Sequence, residues 1–492
     1  MHKIDEEGKA DVFDPRRWGL PAQAVAELGD RLRRVWSRFR DCFRTRTRDA
    51  SGHAFVYLRG LLTLPEQRNY ANIARRVNGL EDDGQGLQQF MSDSPWAALS
   101  VFDQIQGEIT TCPQLRGGML TLDESGDKRA GDQAAGTARQ YLGRLGKVDL
   151  GQVGVMLGYC QSGMWAMVDA RLYLPEVWFD QDHAPLWKRW HIPPEKTFLT
   201  KPQLGLEMIR RAKVNGLPFD VVGCDSLYGK DSQFRADLDG EDVIYMADIP
   251  ADTRVFVNKP TVGIPPTPSG KKGRPFSRLR VLTKRKPKEV RSLTCHPKMA
   301  WQTVEVRQTE RGLLTYPCAA RQVWTITPQG KARQEWLFLR REPDDTFSFS
   351  LSNAPDHTSL SQLALWRSQR YFAERTIQDT KSQVGWDELV ARKYRAWVHH
   401  TALDALALWF ITQTKLDWAN TYPRDPNLLH QLEIEVLPSL SVANVRQMLQ
   451  AVLPLKQLSP QQATALVIKH LVNRSLSTRS RLKEQHRNRG ST

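Results

Sequence analysis

Five short apolar runs between residues 115 and 250 constrain the fold of this chain most. The first three runs follow one another without a helix, whereas a segment of helical character precedes the fourth run and another precedes the fifth. The predicted order is therefore β-β-β-α-β-α-β. Three leading strands without an intervening helix do not fit the regular strand–helix alternation of a Rossmann domain. The sequence therefore predicts an α/β protein with a mixed sheet. The runs lie at 117–123, 152–160, 165–174, 219–225 and 242–249.

The chain is strongly basic. It holds 70 Lys and Arg against 54 Asp and Glu, which gives a net charge of +16. Such an excess usually indicates a polyanionic partner, most often nucleic acid, although a basic but otherwise ordinary enzyme would fit the same charge. Much of the charge lies in three clusters, at 31–48, 271–291 and 474–489. We expect these clusters to hold a DNA backbone.

Several features of the sequence limit where the protein works. No stretch is apolar over the roughly 18 residues that a membrane-spanning helix needs, and the start of the chain lacks the apolar segment of a signal peptide. The six cysteines form no CxxC pair, which is typical of reduced intracellular thiols. P-loop and GxGxxG motifs are absent, so no nucleotide cofactor is expected. The sequence predicts a cytoplasmic protein without a membrane partner.

Changes of pattern along the 492 residues predict several domains, since one domain holds roughly 150 residues. A proline- and glycine-rich break follows the strand region, and further β-rich runs lie beyond that break. The predicted regions are a helical DNA-binding domain at 1–112, the first part of the catalytic core at 113–250, a basic β-rich insertion at 251–358, the final core helices at 359–415, and a helical C-terminal region with a basic tail at 416–492.

Acidic residues stand where two of the apolar runs end. Asp123 follows the first run in LTLDESG, and Asp225 follows the fourth in VVGCDSLYG. In a sheet of the predicted order these two strands can be neighbours, so both carboxylates can meet at one edge. An acid at the end of a strand often caps the following turn instead, and for each Asp alone that alternative stays open.

A helical pattern over 360–384 carries a third candidate acid. Arg370, Glu374 and Lys381 lie four and seven residues apart, so at about 3.6 residues per turn they share one face of the helix. This face can place a metal-binding carboxylate between two phosphate-binding cations. The alternative is an ordinary surface helix with one Arg–Glu pair.

Taken in order, these segments resemble the insertion-sequence transposases of the DDE class. The similarity is to the cut-and-paste group, whose last catalytic helix carries a Tyr, an Arg, a Glu and a Lys at fixed spacing. A fourth segment, between the first two acids, is similar to the second-strand region of this group. The four segments are LTLDESGDKR, GTARQYLGRLGKVDLGQVGV, VVGCDSLYG and RSQRYFAERTIQDTKSQVGWDE.

The resemblance implies an RNase-H-like catalytic domain with a β-rich insertion, between an N-terminal helical domain and a helical C-terminal region. It implies that Asp123, Asp225 and Glu374 are catalytic and hold two Mg²⁺ ions, for which Mn²⁺ can substitute. The implied partners are the terminal inverted repeats of the protein's own insertion sequence and a target DNA. Because two ends are processed together, a homodimer on DNA is expected.

Basic residues near the third acid are expected to bind phosphate. Arg370 and Lys381 match the signature, whereas Arg367 stands where the signature has Tyr and can still bind phosphate one turn before Arg370. Three residues of the insertion are also expected to contact phosphates, namely Lys271, Lys272 and Arg274.

Other acids and several tryptophans are weaker candidates. Three acids rank below the triad because they neither end a strand nor lie on the Arg–Lys face: Asp127, Asp220 and Glu388. In similar transposases a Trp of the insertion stacks on a base at the transposon end. Three tryptophans are available for this and none is assigned, because a Trp in a strand is more often core: Trp301, Trp324 and Trp336.

Two other functions remain open at this point. A transposase-derived repressor would bind DNA without chemistry, but such a protein has no reason to keep three acids in matching segments. A plain nuclease without strand transfer would not need the N-terminal helical region as a reader of DNA ends. The sequence favours a transposase over both.

Overall fold

The computed structural model describes residues 12–266, 276–453, 455 and 459–489. A ten-stranded mixed sheet organises them, in the order β11-β12-β13-β14-β6-β5-β1-β3-β2, with β4 also paired to β3. The strands are β1 (Gly118–Lys128), β2 (Ala138–Leu142), β3 (Lys147–Gln161), β4 (Met164–Leu172), β5 (Phe219–Cys224), β6 (Tyr245–Ile249), β7 (Arg254–Val255), β8 (Val262–Gly263), β9 (Arg280–Val281), β10 (Lys288–Glu289), β11 (Gln302–Thr309), β12 (Gly312–Ile326), β13 (Ala332–Arg341) and β14 (Phe347–Ser352).

Strands β1, β5 and β6 form the parallel centre of the sheet. β5 pairs in parallel with β1 on one side and with β6 on the other, and the remaining pairings of this sheet are antiparallel. These central strands are buried on both faces, which explains why their sequences are almost continuously apolar. The prediction of a mixed sheet is confirmed, and so is the expected neighbourhood of the first and fourth apolar runs.

Strand β2 was missing from the predicted order. Its sequence is short, and Arg139 and Tyr141 point to solvent. It pairs only along the outer part of β3, with Ala138 opposite Gly151. An edge strand of this kind carries little apolar signal, because only one face is covered.

The predicted β-rich runs beyond residue 251 form strands that extend the central sheet. β14 pairs antiparallel with β6, with Phe349 opposite Ile249, and β13, β12 and β11 follow outward. Two short ladders, β7 with β10 and β8 with β9, lie apart from this sheet. The insertion therefore continues the sheet that carries the candidate acids.

The described residues also form sixteen α-helices. They are α1 (Ala22–Ala26), α2 (Leu28–Phe39), α3 (Ser51–Thr63), α4 (Tyr70–Val77), α5 (Gln85–Ser92), α6 (Ala98–Thr110), α7 (Ala184–Arg189), α8 (Lys201–Val214), α9 (Ser226–Gly229), α10 (Ser232–Gly240), α11 (Leu360–Gln369), α12 (Tyr371–Asp379), α13 (Tyr394–Thr421), α14 (Asn427–Gln431), α15 (Val442–Val452) and α16 (Pro460–Arg489).

Helix α13 joins the N-terminal helices to the sheet. It packs against α3, α5 and α6 and also against β4. His400 hydrogen-bonds Tyr57 of α3 at 2.9 Å, and the His399 ring stacks on Trp96 with centroids 3.8 Å apart. One continuous apolar core therefore includes both the N-terminal helices and the sheet.

The predicted long helix over 360–384 is interrupted. It breaks at Arg370 between α11 and α12, where the Ala373 N–H donates to the Arg370 carbonyl at 2.9 Å over only three residues. A π turn, Thr380–Val384, follows α12, and the Gly385 N–H donates to the Thr380 carbonyl at 3.0 Å. Gly385 has a φ of +92° and ends the segment. Sequence periodicity does not reveal such local changes of winding.

The C-terminal region is helical, as predicted. The basic tail belongs to α16, whose side chains from Leu471 to Ser480 are exposed. The described part of the basic tail is therefore helical. No described helix is both long and apolar enough to cross a membrane.

Candidate active site

The parallel pairing of β1 and β5 brings Asp123 and Asp225 together. The last paired residues are Leu122 and Cys224, and each candidate acid is the next residue of its strand segment. Contrary to prediction, Asp123 does not end its strand, because β1 continues to Lys128 beside β3. The buried half of β1 ends at Leu122, directly before Asp123. The acids therefore follow the point where the parallel ladder stops.

Asp225 also caps a helix. It lies at the N-terminus of α9, and its Oδ1 accepts a hydrogen bond from the Leu227 N–H at 3.0 Å. The capping role that the sequence left open is thus present. It does not remove Asp225 from the site, because the carboxylate also lines a cleft of about 860 Å³ with Asp123 and Glu374.

Burial and neighbouring carboxylates raise the pKa values of both aspartates. The pKa of Asp123 rises from 3.8 to about 7 because the carboxyl is desolvated and because Asp225 is close, while Arg370 acts in the opposite direction. The pKa of Asp225 is also raised, first by burial and then by Glu124. Two buried acids with raised pKa values, one of them raised in part by the other, are typical of functional sites.

Glu374 reaches the cleft from α12 and is less constrained. Its side chain is 62% exposed, and its Oε1 lies 3.4 Å from Nη2 of Arg370. Nη1 of the same guanidinium lies 3.9 Å from Oδ2 of Asp123. Arg370 therefore stands between the two carboxylates.

Asp123 and Asp225 suit a divalent cation as a pair. Carboxylate oxygens are the ligands that Mg²⁺ prefers, and a cation would stabilise the charged forms that burial and neighbouring carboxylates disfavour. Among the described residues, no three His, Cys, Asp or Glu side chains are arranged to hold one ion. Glu374 faces Arg370, so its exposed side chain must turn before it can join the two aspartates.

Sequence reasoning missed a fourth acid, Asp248 on β6, which also lines the cleft. Its Oδ1 accepts a hydrogen bond from the Ser350 hydroxyl at 2.7 Å and lies 2.7 Å from Nε of Arg367. Its Oδ2 lies 3.0 Å from Nε of Arg370. The available signal was an acid inside the apolar run at 242–249, on a strand next to the one that carries Asp225.

A glycine fixes the approach of α9 to β6. A Cβ on Gly229 would lie 1.8 Å from the carbonyl oxygen of Asp248. Only glycine permits this close contact. The turn after Asp225 is thereby held against the strand that bears Asp248.

Comparison with known proteins agrees with this geometry. A family model described as DDE superfamily endonuclease matches residues 38–313. The chain belongs to the DDE superfamily of endonucleases. The match includes Asp123 and Asp225 but ends before Glu374, whose place in the site rests on its motif and on the cleft.

A curated relative points the same way. A probable transposase for insertion sequence element IS701, from Microchaete diplosiphon, is 27% identical over 346 residues, which cover 70% of this chain and 78% of the relative. The predicted resemblance to insertion-sequence transposases of the DDE class is confirmed. DDE superfamily membership implies a nuclease-type enzyme that acts on DNA, and these enzymes generally use divalent metal ions.

The predicted phosphate-binding residues of this DDE endonuclease occupy different environments. Arg370 and Lys381 line the cleft, and Lys381 pairs with Asp127. Arg367 is only 8% exposed and faces Asp248. It therefore balances the charge of Asp248 and is not among the described residues that line the cleft. Three further residues lie outside the described part of the chain: Lys271, Lys272 and Arg274.

The lower-ranked acids and the tryptophans also have defined places. Asp220 is exposed, and Glu388 pairs with the buried Arg68. The Nε1–H groups of Trp301 and Trp336 donate to backbone carbonyls, and Trp324 lies under Lys259. None of the three tryptophans is among the described residues that line the DDE cleft.

Many arginines of the 31–48 cluster are paired within the protein. Five of the eight face carboxylates, which reduces the positive charge available to a DNA backbone. The five are Arg31, Arg33, Arg38, Arg40 and Arg44, with Asp417, Asp30, Glu108, Asp49 and Asp41 as partners.

Proposed function

We propose that this protein is a transposase that binds the terminal inverted repeats of its own insertion sequence, cuts DNA at those ends and joins them to a target. The observation that carries the proposal is the cleft shared by Asp123, Asp225 and Glu374. Its acids meet Arg370 and Lys381 at the same surface, as a site for a phosphodiester requires.

The proposed catalytic acids are also the proposed metal ligands. Asp123 and Asp225 would hold Mg²⁺, with Glu374 as the third carboxylate for a two-ion site, and Mn²⁺ can substitute. Such ions, when bound, activate water or a DNA 3′-hydroxyl and stabilise the leaving oxygen.

The protein's own residues prepare this chemistry. Asp123 must release its proton before it can bind a cation, because its pKa is raised to about 7. Arg370 stands beside Asp123 and Glu374, so its outer nitrogens can turn to the oxygens of a phosphodiester once the carboxylates take up cations. Lys381 lies on the cleft wall beside Asp127 and adds positive charge there.

We further propose how the rest of the chain serves this reaction. The helical region 1–112 would read the DNA ends, the region 251–358 would hold DNA beside the cleft, and the two segments 113–250 and 359–415 would form the catalytic core. Two copies would act together on DNA, because two ends must be processed in concert. With DNA as its substrate, the protein would work at the nucleoid in the bacterial cytoplasm.

The test uses the purified full-length protein, Mg²⁺ and duplexes that carry the inverted repeats flanking its coding region. We expect cleavage and joining by the unmodified protein, and loss of both in Asp123→Asn, Asp225→Asn and Glu374→Gln. Asp220→Asn is a matched control, because Asp220 is exposed and outside the cleft. Cleavage that survives the three substitutions would refute the site. Specific binding without cleavage by the unmodified protein would instead indicate a repressor.

A further inference from the structure

A second cavity, of about 590 Å³, opens beside the short ladders of the insertion. Its described lining carries five basic or imidazole side chains and no Asp or Glu. A pocket of one charge sign concentrates positive potential, which favours an anionic occupant. The side chains are those of Lys259, Arg285, Lys286, Lys288 and His296.

The nearest acid along the chain does not neutralise this pocket. Glu289 follows Lys288, but its carboxylate lies 2.7 Å from Arg291 and 3.9 Å from Arg254. Neither arginine lines the pocket among its described residues. No carboxylate of the described lining neutralises the positive charge of the pocket, which is therefore available to an anionic ligand.

His296 reports the same positive environment. Nη1 of Arg321 lies 3.1 Å from Nδ1 of the imidazole. The guanidinium, which is always charged, can donate a hydrogen bond to this nitrogen when the histidine is neutral. The pKa of His296 is lowered by desolvation and by Arg321, Lys288 and Lys298. A neutral histidine among cations leaves room for an anion rather than for another positive group.

The pocket is anchored to the central sheet. Phe256 on its wall exchanges two backbone hydrogen bonds of 2.8 Å with Trp324 of β12. Nζ of Lys259 lies 5.1 Å from the Trp324 ring centroid, a cation–π contact that holds the lysine stem in place. The basic side chains therefore stand on a defined framework.

The pocket also lies close to the catalytic cleft along the chain. Ala251 lines the cleft and Phe256 lines the pocket. Even fully extended, the backbone between them spans no more than about 18 Å. The two cavities therefore lie near enough for one DNA strand, whose successive phosphates advance about 3.4 Å along a duplex, to contact both.

We propose that this pocket binds a backbone phosphate of the DNA strand that is cut in the cleft, close to the scissile phosphate. This inference rests on the proposed function, since it takes the cleft to be the place of cutting. The contact would be to phosphate and not to a base, so it would position the strand without reading its sequence.

The experiment removes the charge on both sides of the contact. The double variant Lys259→Gln/Lys286→Gln loses two charges of the pocket. The matched control Lys188→Gln/Lys213→Gln loses two charges on exposed helical positions elsewhere. Both are made in the Asp123→Asn protein, so that binding is measured without cutting. The DNA is an end duplex in which each phosphate near the scissile position is replaced in turn by a neutral methylphosphonate.

We expect one or two methylphosphonate positions near the scissile phosphate to weaken binding of the control protein by about threefold to tenfold. At those positions the pocket variant should show no further loss, because its side of the contact is already gone. Equal losses in both proteins would overturn the inference, as would a pocket variant that binds unmodified DNA as tightly as the control.

Two further outcomes separate this inference from its premise. If inorganic phosphate protects the pocket side chains from chemical modification but end DNA does not, the pocket is a site for small anions and the inference is wrong. Cutting by the Asp123→Asn protein would refute the proposed catalytic site and leave the mapped phosphate contact as a separate result. A protein that binds no DNA at all would overturn both.

Discussion

Nε of Arg370 lies 3.0 Å from Oδ2 of Asp248. This contact uses one edge of the guanidinium and leaves Nη1 and Nη2 directed at Asp123 and Glu374. Asp248 also faces the buried Arg367 at 2.7 Å. The Asp248 carboxylate therefore orients the Arg370 guanidinium in the cleft and also balances the charge of the buried Arg367.

Asp248→Asn should lower both stability and activity. The substitution leaves two largely buried guanidinium groups without their shared counter-charge, and breaking a buried pair costs about 3–5 kcal/mol. The double variant Asp248→Asn/Arg367→Met should recover thermal stability but not the cleavage rate, because Arg370 stays misplaced. Thermal unfolding and single-turnover cleavage measure the two effects. Recovery of full activity in the double variant would show that Asp248 acts on stability alone.

Glu374→Gln should abolish cleavage without affecting the fold. The side chain is 62% exposed, and substitutions at such positions usually change the free energy of unfolding by less than about 0.5 kcal/mol. Loss of one carboxylate from a metal site, in contrast, removes most of the catalytic rate. Denaturant unfolding and a cleavage assay on the same preparation test this separation. A variant that unfolds earlier in proportion to its lost activity would argue for a structural role.

Without divalent cations, Asp123 should make the protein less stable as the pH rises from about 4 to 7. Its pKa is raised from 3.8 to about 7, so over this range the folded protein keeps a proton that the unfolded chain releases. The penalty is at most about 1.4 kcal/mol per pH unit. Asp123→Asn should remove this dependence, so the melting temperature of the variant minus that of the unmodified protein should increase with pH. A constant difference would contradict the raised pKa.

Glu388→Gln should destabilise the protein while sparing the chemistry. Glu388 pairs with Arg68, which is 2% exposed and connects the loop after α3 to the segment after the π turn. An uncompensated buried guanidinium costs about 3–5 kcal/mol. We expect a lower melting temperature, with cleavage retained at a temperature where the variant is folded. A variant with normal stability and no cleavage would contradict this expectation and indicate a catalytic role for Glu388.

The features that could be predicted from sequence are those that local patterns report. Near-continuous apolar runs identified the buried central strands, and the order of those strands predicted that Asp123 and Asp225 would meet, as they do in the cleft. The spacing of Arg370, Glu374 and Lys381 correctly placed all three on the face that lines the cleft.

The remaining features depend on contacts between distant parts of the chain. The position of Asp248 in the cleft follows from the sheet order, which places β6 between β5 and β14. The burial of Arg367 depends on the same arrangement. Nor does any local pattern show that β14 would pair with β6 and join the insertion to the central sheet. The π turn Thr380–Val384 covers only five residues, too short a feature for periodicity to detect.

The most direct test of the central claim is a change of metal preference at the scissile bond. An end duplex with sulfur in place of the 3′-bridging oxygen should be cut poorly in Mg²⁺ and efficiently in Mn²⁺, because sulfur prefers the softer ion. We expect this rescue for the unmodified protein and its absence in Asp123→Asn and Asp225→Asn. Equal cutting of the sulfur substrate in both metals, or rescue that persists in the two variants, would contradict metal-assisted cleavage at these aspartates.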